Sequence, residues 1–333
     1  MSRRATVSAI LLIFLLIDLR PLEGAQTRQS VSRVQKTENE DLTEGLSVMW
    51  EELVDLESRD LFYGIGGKRG EPDPSARYAF IERNTSGNSE KIVVEDDRDR
   101  RWTIKFGPEA RPETTASRIV WAAGYHADQD YFVKRAHIEG RGGFDVWDVR
   151  FERDNDGFKK VDRWAWQSNA FKGTRELDGL RVLMALLNNF DLKTANNKIV
   201  RPSKKKSSEA ARLIHYVNDL GATLGTTGAW YTNVPILGEI PTGTKGNVKD
   251  YAGSNFIDNI GGGKVVFHSN RRRAKRAMIG VRIENARWMG NLLARLSDKQ
   301  LSDAFRAGGF DESETTIYIA TIRKRIERLR TLS

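Results

Sequence analysis

Strand-like segments crowd the first third of the chain and helix-like segments fill most of the rest. That order confines the fold to an α+β arrangement with the two kinds of element segregated. Residues 78–83 and 91–95 are strand candidates, separated by the turn signal Asn84-Thr85-Ser86-Gly87. After a polar turn at 96–100, Trp102, Ile104 and Phe106 alternate with Thr103 and Lys105, the period of a half-buried strand. Residues 112–123 then read as a helix closed by Gly124. Ahead of this small twisted sheet, Leu46, Met49, Trp50, Leu53 and Val54 recur at helical spacing, so 46–56 reads as a short amphipathic helix.

Beyond about residue 166 the periodicity is mainly helical. In 174–188, Leu177, Leu180, Leu183, Met184 and Leu187 share one face. Residues 286–296, 302–307 and 314–329 are further helices. Lys204 to Ser208 is a polar turn, and 213–217 is a short strand. Residues 221–263 are rich in Gly, Thr and Asn and read as one long irregular segment, the kind that is either functional or disordered. Within it Trp230, Tyr231, Tyr251 and Phe256 are expected to close over a bound molecule, and Lys245, Lys249 and nearby Lys264 to meet its phosphate charge.

Composition removes several classes of chemistry. The absence of cysteine excludes a disulfide scaffold, a thiolate nucleophile and a Cys-based zinc site. The 4 histidines make a multi-His metal centre improbable, and the HExxH, GxSxG and Walker A patterns are missing. A net charge of +9 permits binding to anions but is more often a solvated surface. At the N-terminus, Arg3 and Arg4 precede an uncharged run closed by Asp18, and Gly24-Ala25 follows. The pattern reads as a secretory signal peptide over residues 1–25, with an uncleaved membrane anchor as the alternative. A polar leader at 26–45 comes next, and the expected location is exported, periplasmic or secreted.

Four features stand in an order that suits phosphoryl transfer: a glycine-rich loop with Gly64, Gly66, Gly67 and Gly70; Lys105 on a strand; Asp191-Leu-Lys-Thr-Ala-Asn196 directly after an apolar helix; and Asp219-Leu-Gly221 after an apolar strand. A glycine-rich turn lets backbone N–H groups approach phosphate oxygens. A strand lysine neutralises them. One carboxylate orients an acceptor hydroxyl, and an asparagine with a second carboxylate supplies hard oxygen ligands for Mg²⁺.

Asp191-Leu-Lys-Thr-Ala-Asn196 resembles the protein-kinase catalytic loop, and Asp219-Leu-Gly221 resembles the metal-binding DFG motif with Leu for Phe. Trp102-Thr-Ile-Lys105 is similar to the strand that ends in the nucleotide lysine. The resemblance covers about residues 60–225 and points to an atypical branch of the protein-kinase-like superfamily, of the HipA-like, Fam20-like or lipid-kinase-like sort. Asn189-Phe190 replaces the usual His-Arg, an APE-type sequence is missing, and Arg69 stands where a third loop glycine belongs. The run from Gly173 through Lys193 also resembles stretches of exported bacterial proteins.

The resemblance implies a two-lobed fold, with a β-rich N-lobe over 46–165 and a mainly helical C-lobe over 166–333. It implies Asp191 as base, Lys193 beside the transferred phosphate, Asn196 and Asp219 as Mg²⁺ ligands, and Gly64, Gly66, Gly67 and Lys105 at a nucleotide. Glu113 would pair with Lys105, with Glu109 as second choice. The cofactors implied are Mg²⁺ and ATP or another nucleotide, since ATP is scarce outside the bacterial cytoplasm. The partners are that nucleotide and an unidentified hydroxyl acceptor, protein or small molecule, with nucleic acid an unfavoured partner. A non-catalytic, pseudokinase-like binding module stays open beside the enzyme. So does an anion-binding surface built on Arg271-Arg-Arg-Ala-Lys-Arg276 and the basic terminal helix.

Overall fold

The computed structural model describes residues 46–333, apart from 85–89, 141, 155–156, 204–211 and 229–242. The expected signal peptide and leader, the 204–208 turn, and Trp230 and Tyr231 lie outside the described residues.

The expected sheet closes on itself. Strands β2 (Tyr78–Asn84), β3 (Lys91–Asp96), β4 (Arg101–Lys105), β6 (Asp130–Glu139) and β7 (Phe144–Arg153) form a barrel in the order β2-β3-β4-β7-β6, and β2 pairs in parallel with β6. Alternation along the strands turns Trp102, Ile104, Val149 and Phe151 into a core shared with Tyr78, Ile92, Val94 and Tyr131. The opposite face at β4 and β7 carries Thr103, Lys105, Arg150 and Glu152, with Thr103 opposite Glu152 and Lys105 opposite Arg150. Helix α2 (Ala110–Ala122) packs against β6 and β7. It follows a one-turn helix α1 (Gly67–Gly70). Pro112 fits the first turn of α2, where backbone N–H groups lack helical partners in any case.

Gly124 ends this element at φ +91, and a Cβ there would stand 2.6 Å from the Trp50 indole nitrogen and 2.7 Å from the Glu51 carbonyl. Residues 46–56 do not form the expected helix. Leu46–Val48 is strand β1, parallel to β10 (Arg212–Val217), and only Leu56–Ser58 makes a short 3-10 turn. The helical spacing misled because Met49, Leu53 and Leu56 are buried one by one along an irregular path.

A second sheet runs β1-β10-β9-β8, with β9 spanning Asn197–Pro202, β8 spanning Phe158–Asp162, and the two-residue strand β5 (His126–Ala127) also against β10. Between β8 and β9 in the chain comes α3 (Arg175–Leu186), buried from Leu177 to Leu186. Its N-cap Thr174 accepts the Leu177 N–H at 3.2 Å, a bond whose removal costs about 1 kcal/mol. The segment 221–263 is more ordered than expected: it contains α4 (Val248–Gly253) and β11 (Ile257–Gly261), which joins β12 (Lys264–Phe267) and β13 (Val281–Arg282) in a small sheet. Helices α5 (Arg272–Ala277), α6 (Ile283–Ala294), α7 (Asp298–Ala307) and α8 (Glu312–Arg330) complete the chain. Capping boxes at Ser297/Gln300 and Asp311/Glu314 fix where the last two begin.

Candidate functional site

Lys105 ends β4 with its ammonium almost out of solvent, 2 % exposed. Three carboxylates meet it: Glu113 at 3.0 Å, Asp219 at 2.7 Å, and Glu109, the N-cap residue of α2. Burial disfavours its charge, yet the pull of Glu113, Asp219 and Glu109 prevails and raises its pKa. Glu109 responds in the opposite sense. Burial pushes its carboxyl up, but Lys105 and Lys245 bring it down to about 2. Both Glu113 and its alternative Glu109 therefore pair with the lysine.

Arg150 stands opposite Lys105 across the strand pair, an arrangement that repels unless an anion lies between. Glu113 is that anion. One carboxylate oxygen faces Lys105, and the other lies 2.6 Å from Arg150. Arg150 also reaches Asp130 at 3.2 Å and Glu152 at 2.6 Å. Burial pushes the Glu113 carboxyl up, and Arg150 and Lys105 pull against it. A buried ion pair is tolerated only when such partners replace the lost water.

Asp219 follows the end of β10, in the second sheet, by two residues. Its backbone sits at φ +52, the left-handed region that Asp tolerates better than most residues. Three bonds hold the neighbourhood. The Asn218 N–H donates to the Asn196 carbonyl at 2.9 Å, the Asn218 side chain donates to Asp128 at 2.7 Å, and Lys198 pairs with the same Asp128 carboxylate. Asp128 thus ties the strand leaving Asn196 to the residue preceding Asp219. Two further backbone bonds, Phe190 N–H to Ala222 carbonyl at 3.2 Å and Leu224 N–H to Leu187 carbonyl at 2.8 Å, lace the two loops together.

Within the 191–196 loop, Lys193 reaches the Asp191 carboxylate at 2.7 Å. The Asn196 amide donates to the Asp191 carbonyl at 2.8 Å and to its carboxylate at 3.3 Å. The Asp191 N–H is in turn held by the Asn189 side chain at 3.0 Å. Asp191, Lys193 and Asn196 therefore share one set of hydrogen bonds; the backbone bond from Asn218 to Asn196 brings the neighbouring Asp219 alongside, and the Asp219 carboxylate meets Lys105.

The glycines do not join it. Gly64 packs on Arg118, while Gly66 and Gly70 close on Gln129 and Tyr131. A Cβ on Gly67 would meet nothing within 4 Å. Their smallness permits chain-to-chain packing at Gly66 and Gly70, and Ile65, between Gly64 and Gly66, lines a cavity with Asp128, Glu152, Lys198 and Asn218. What lies beside Lys105 is the end of the β2–β3 hairpin, since Lys91 pairs with both Asn84 and Lys105. The intervening 85–89 lies outside the described residues. Of the aromatic residues expected to form a lid, Tyr251 is fully buried and donates to the Leu186 carbonyl at 2.6 Å, so it belongs to the core. Lys245 does reach the site, through Glu109.

Carboxylate oxygens of Glu109, Glu113 and Asp219 lie within 4.8 Å of one another. They form a set of hard donors suited to a divalent cation once Lys105 exchanges one of them for phosphate. Adjacent to this network is a cavity of about 370 Å³ lined by Asp128, Glu152, Lys198, Tyr216 and Asn218 among others. Arg150, Asp128 and Lys198 gave no sequence signal, because each acts through a partner far away in the chain.

No family model and no curated protein matches the chain. Among solved structures it is similar to a Helicobacter pylori proinflammatory kinase, CtkA, at 14% identity and TM-score 0.46, over 78% of this chain and 98% of that one. It is similar to a Golgi casein kinase at 8% identity and TM-score 0.37, over 94% and 90%. It is also similar to Rio2 kinase from Chaetomium thermophilum at 12% identity and TM-score 0.31, over 91% and 86%. The functional reading rests on the side chains of this chain.

Proposed function

We propose that the chain is an atypical kinase-like phosphotransferase that uses a Mg²⁺-bound nucleotide. The observation that supports this most is the Lys105 ammonium held between Glu113 and Asp219, with the Asn218–Asn196 backbone bond joining that pair to the loop of Asp191. When bound, the metal–nucleotide supplies the transferable phosphoryl group and neutralises part of its charge. The chain's own residues do the rest. Lys105 exchanges Asp219 for phosphate oxygens while Glu113, anchored on Arg150, keeps the ammonium in place. Asp219 and Asn196 become available as hard oxygen ligands. Asp191 accepts the proton of an acceptor hydroxyl, and Lys193 balances the charge that grows beside it. Positioning and electrostatics of this kind carry most of the acceleration in phosphoryl transfer. The barrel with α2 acts as the nucleotide lobe and the helical remainder as the acceptor lobe. The chain acts after export; among the described residues no helix is long and apolar enough to cross a membrane.

The test is transfer of label from γ-labelled ATP and GTP, with Mg²⁺, to the full chain and to a mixed-protein acceptor pool. Incorporation that Asp191→Asn lowers about a hundredfold, within the usual contribution of a positioned base, with nucleotide binding intact, is the expected result. Nucleotide binding with no transfer would make the chain a binding module.

A further inference from the structure

From Gly261 to Ile283 the sequence carries seven lysines and arginines and neither aspartate nor glutamate. Four of these cations sit on α5. Ala274 and Ala277 are buried and pin this short helix to the protein, while Arg272, Arg273, Lys275 and Arg276 are exposed. Electrostatics opposes the arrangement twice. Arg272 and Arg273 occupy the first turn, where the helix dipole favours anions. Arg272 and Arg276, four apart, are like charges on one face. Among the described residues Lys275 has Asp258 at 3.6 Å, and no ion pair joins Arg272, Arg273 or Arg276 to an acid. A face held against such repulsion suits an anionic partner.

The N-cap residue of α5 is Arg271, which is partly buried and within electrostatic reach of Asp191. The preceding Asn270 donates its N–H to Thr227 at 3.1 Å and its side chain to the Gly228 carbonyl. That stretch in turn meets Phe190, since a Cβ on Gly243 would stand 3.1 Å from the Phe190 ring and 3.3 Å from the Gly228 nitrogen. The start of α5 is therefore fastened to the segment after Asp219, and Gly243 lies between that segment and Phe190, the residue before Asp191.

We propose that the arginine face of α5 is the acceptor-docking surface and that the acceptor is an acidic segment of polypeptide. This rests on the phosphotransfer reading only for the word acceptor. Arginine forks match carboxylates in geometry as well as charge. The face is a single helical turn, the length of a short acidic run, and α5 offers no aromatic side chain on which a nucleic-acid base would stack.

Fluorescence anisotropy of the full chain with a labelled Glu-rich dodecapeptide, and with its Gln counterpart, tests this. The Glu peptide binds, more weakly as salt rises, and the Gln peptide does not. R272E/R273E/R276E lowers affinity about tenfold or more, as loss of charge-assisted hydrogen bonds requires. R272Q/R273Q/R276Q does so in part, and K299E, remote in the sequence, leaves it unchanged. Equal binding of the Gln peptide, or unchanged affinity in both triple variants with native circular dichroism, overturns the proposal. So does single-stranded RNA or an anionic phosphatidylglycerol vesicle binding tighter than the peptide. Asp219→Asn separates the two claims. It retains peptide binding if the face docks acceptors, whatever becomes of nucleotide binding, so failure of the phosphotransfer reading and failure of the docking surface are read independently.

Discussion

Lys105 and Arg150 are two buried cations side by side, and among the described residues Glu113 alone pairs with both. Removing one member of such a group leaves a charge without water or partner. Arg150→Met is therefore expected to lower unfolding free energy by about 3–5 kcal/mol, measured by urea denaturation. Adding Asp130→Asn restores part of that loss, because Asp130 pairs with Arg150 whereas Glu113 keeps Lys105. A single-variant loss below about 1 kcal/mol, the scale of an exposed pair, contradicts the role given to Arg150. Legibility at this scale follows the reach of each interaction. Asp191, Asn196 and Asp219 were readable because their chemistry fixes local spacing, and Lys105 because it ends an alternating strand. Arg150 was not readable, since its partners Glu113 and Asp130 come from a helix and a neighbouring strand. Asp128 was equally silent, because it joins Lys198 and Asn218 only in the fold.

Turn signals and strict alternation made β2, β3 and β4 legible, and the shared apolar face of Leu177, Leu180, Leu183, Met184 and Leu187 did the same for α3. β6 and β7 were missed, along with the barrel they close: the polar residues that crowd them reach ion pairs such as Lys134–Asp148 and Arg150–Glu152, which periodicity does not register. The glycine run at 64–70 was legible as a bend, but the packing of Gly66 and Gly70 on Gln129 and Tyr131 was not. Gly66→Ala tests that packing role. The new methyl would press on the ends of the Gln129 and Tyr131 side chains, at 1.9 and 2.2 Å, which can yield. It is expected to lower Tm modestly and leave Mg²⁺–nucleotide affinity within about twofold, whereas Lys105→Met abolishes binding. A tenfold affinity loss in Gly66→Ala would return the glycines to the site. Gly124→Ala meets both a positive φ and the Glu51 carbonyl. It is expected to lose about 2 kcal/mol or more by thermal denaturation, because backbone cannot move aside as a side chain does.

Across the molecule, β10 is where the barrel side and the helical side are joined, through β1 and β5. His126 sits on β5 at that seam. Burial is the main cause that brings its pKa down to about 4; Arg212 and His215 act in the same sense and Glu51 against it. Because the folded value lies below the ordinary 6.5, the neutral ring stabilises the fold fully above pH 6.5. That contribution is lost as pH falls through about 4. His126→Gln is expected to flatten the pH dependence of Tm across this interval. An unchanged slope assigns the acid sensitivity to other groups. The central claim is that Lys105, Asp219 and their neighbours receive a Mg²⁺-bound nucleotide. Isothermal titration of the full chain with non-hydrolysable ATP and GTP analogues, with and without Mg²⁺, tests it most directly when repeated on Asp219→Asn, which keeps the shape of the side chain and removes its charge. The account predicts Mg²⁺-dependent binding by the parent chain, weakened about tenfold or more in the variant with its circular dichroism unaltered. Absence of Mg²⁺-dependent binding in the parent, or equal affinity in the variant, would contradict it.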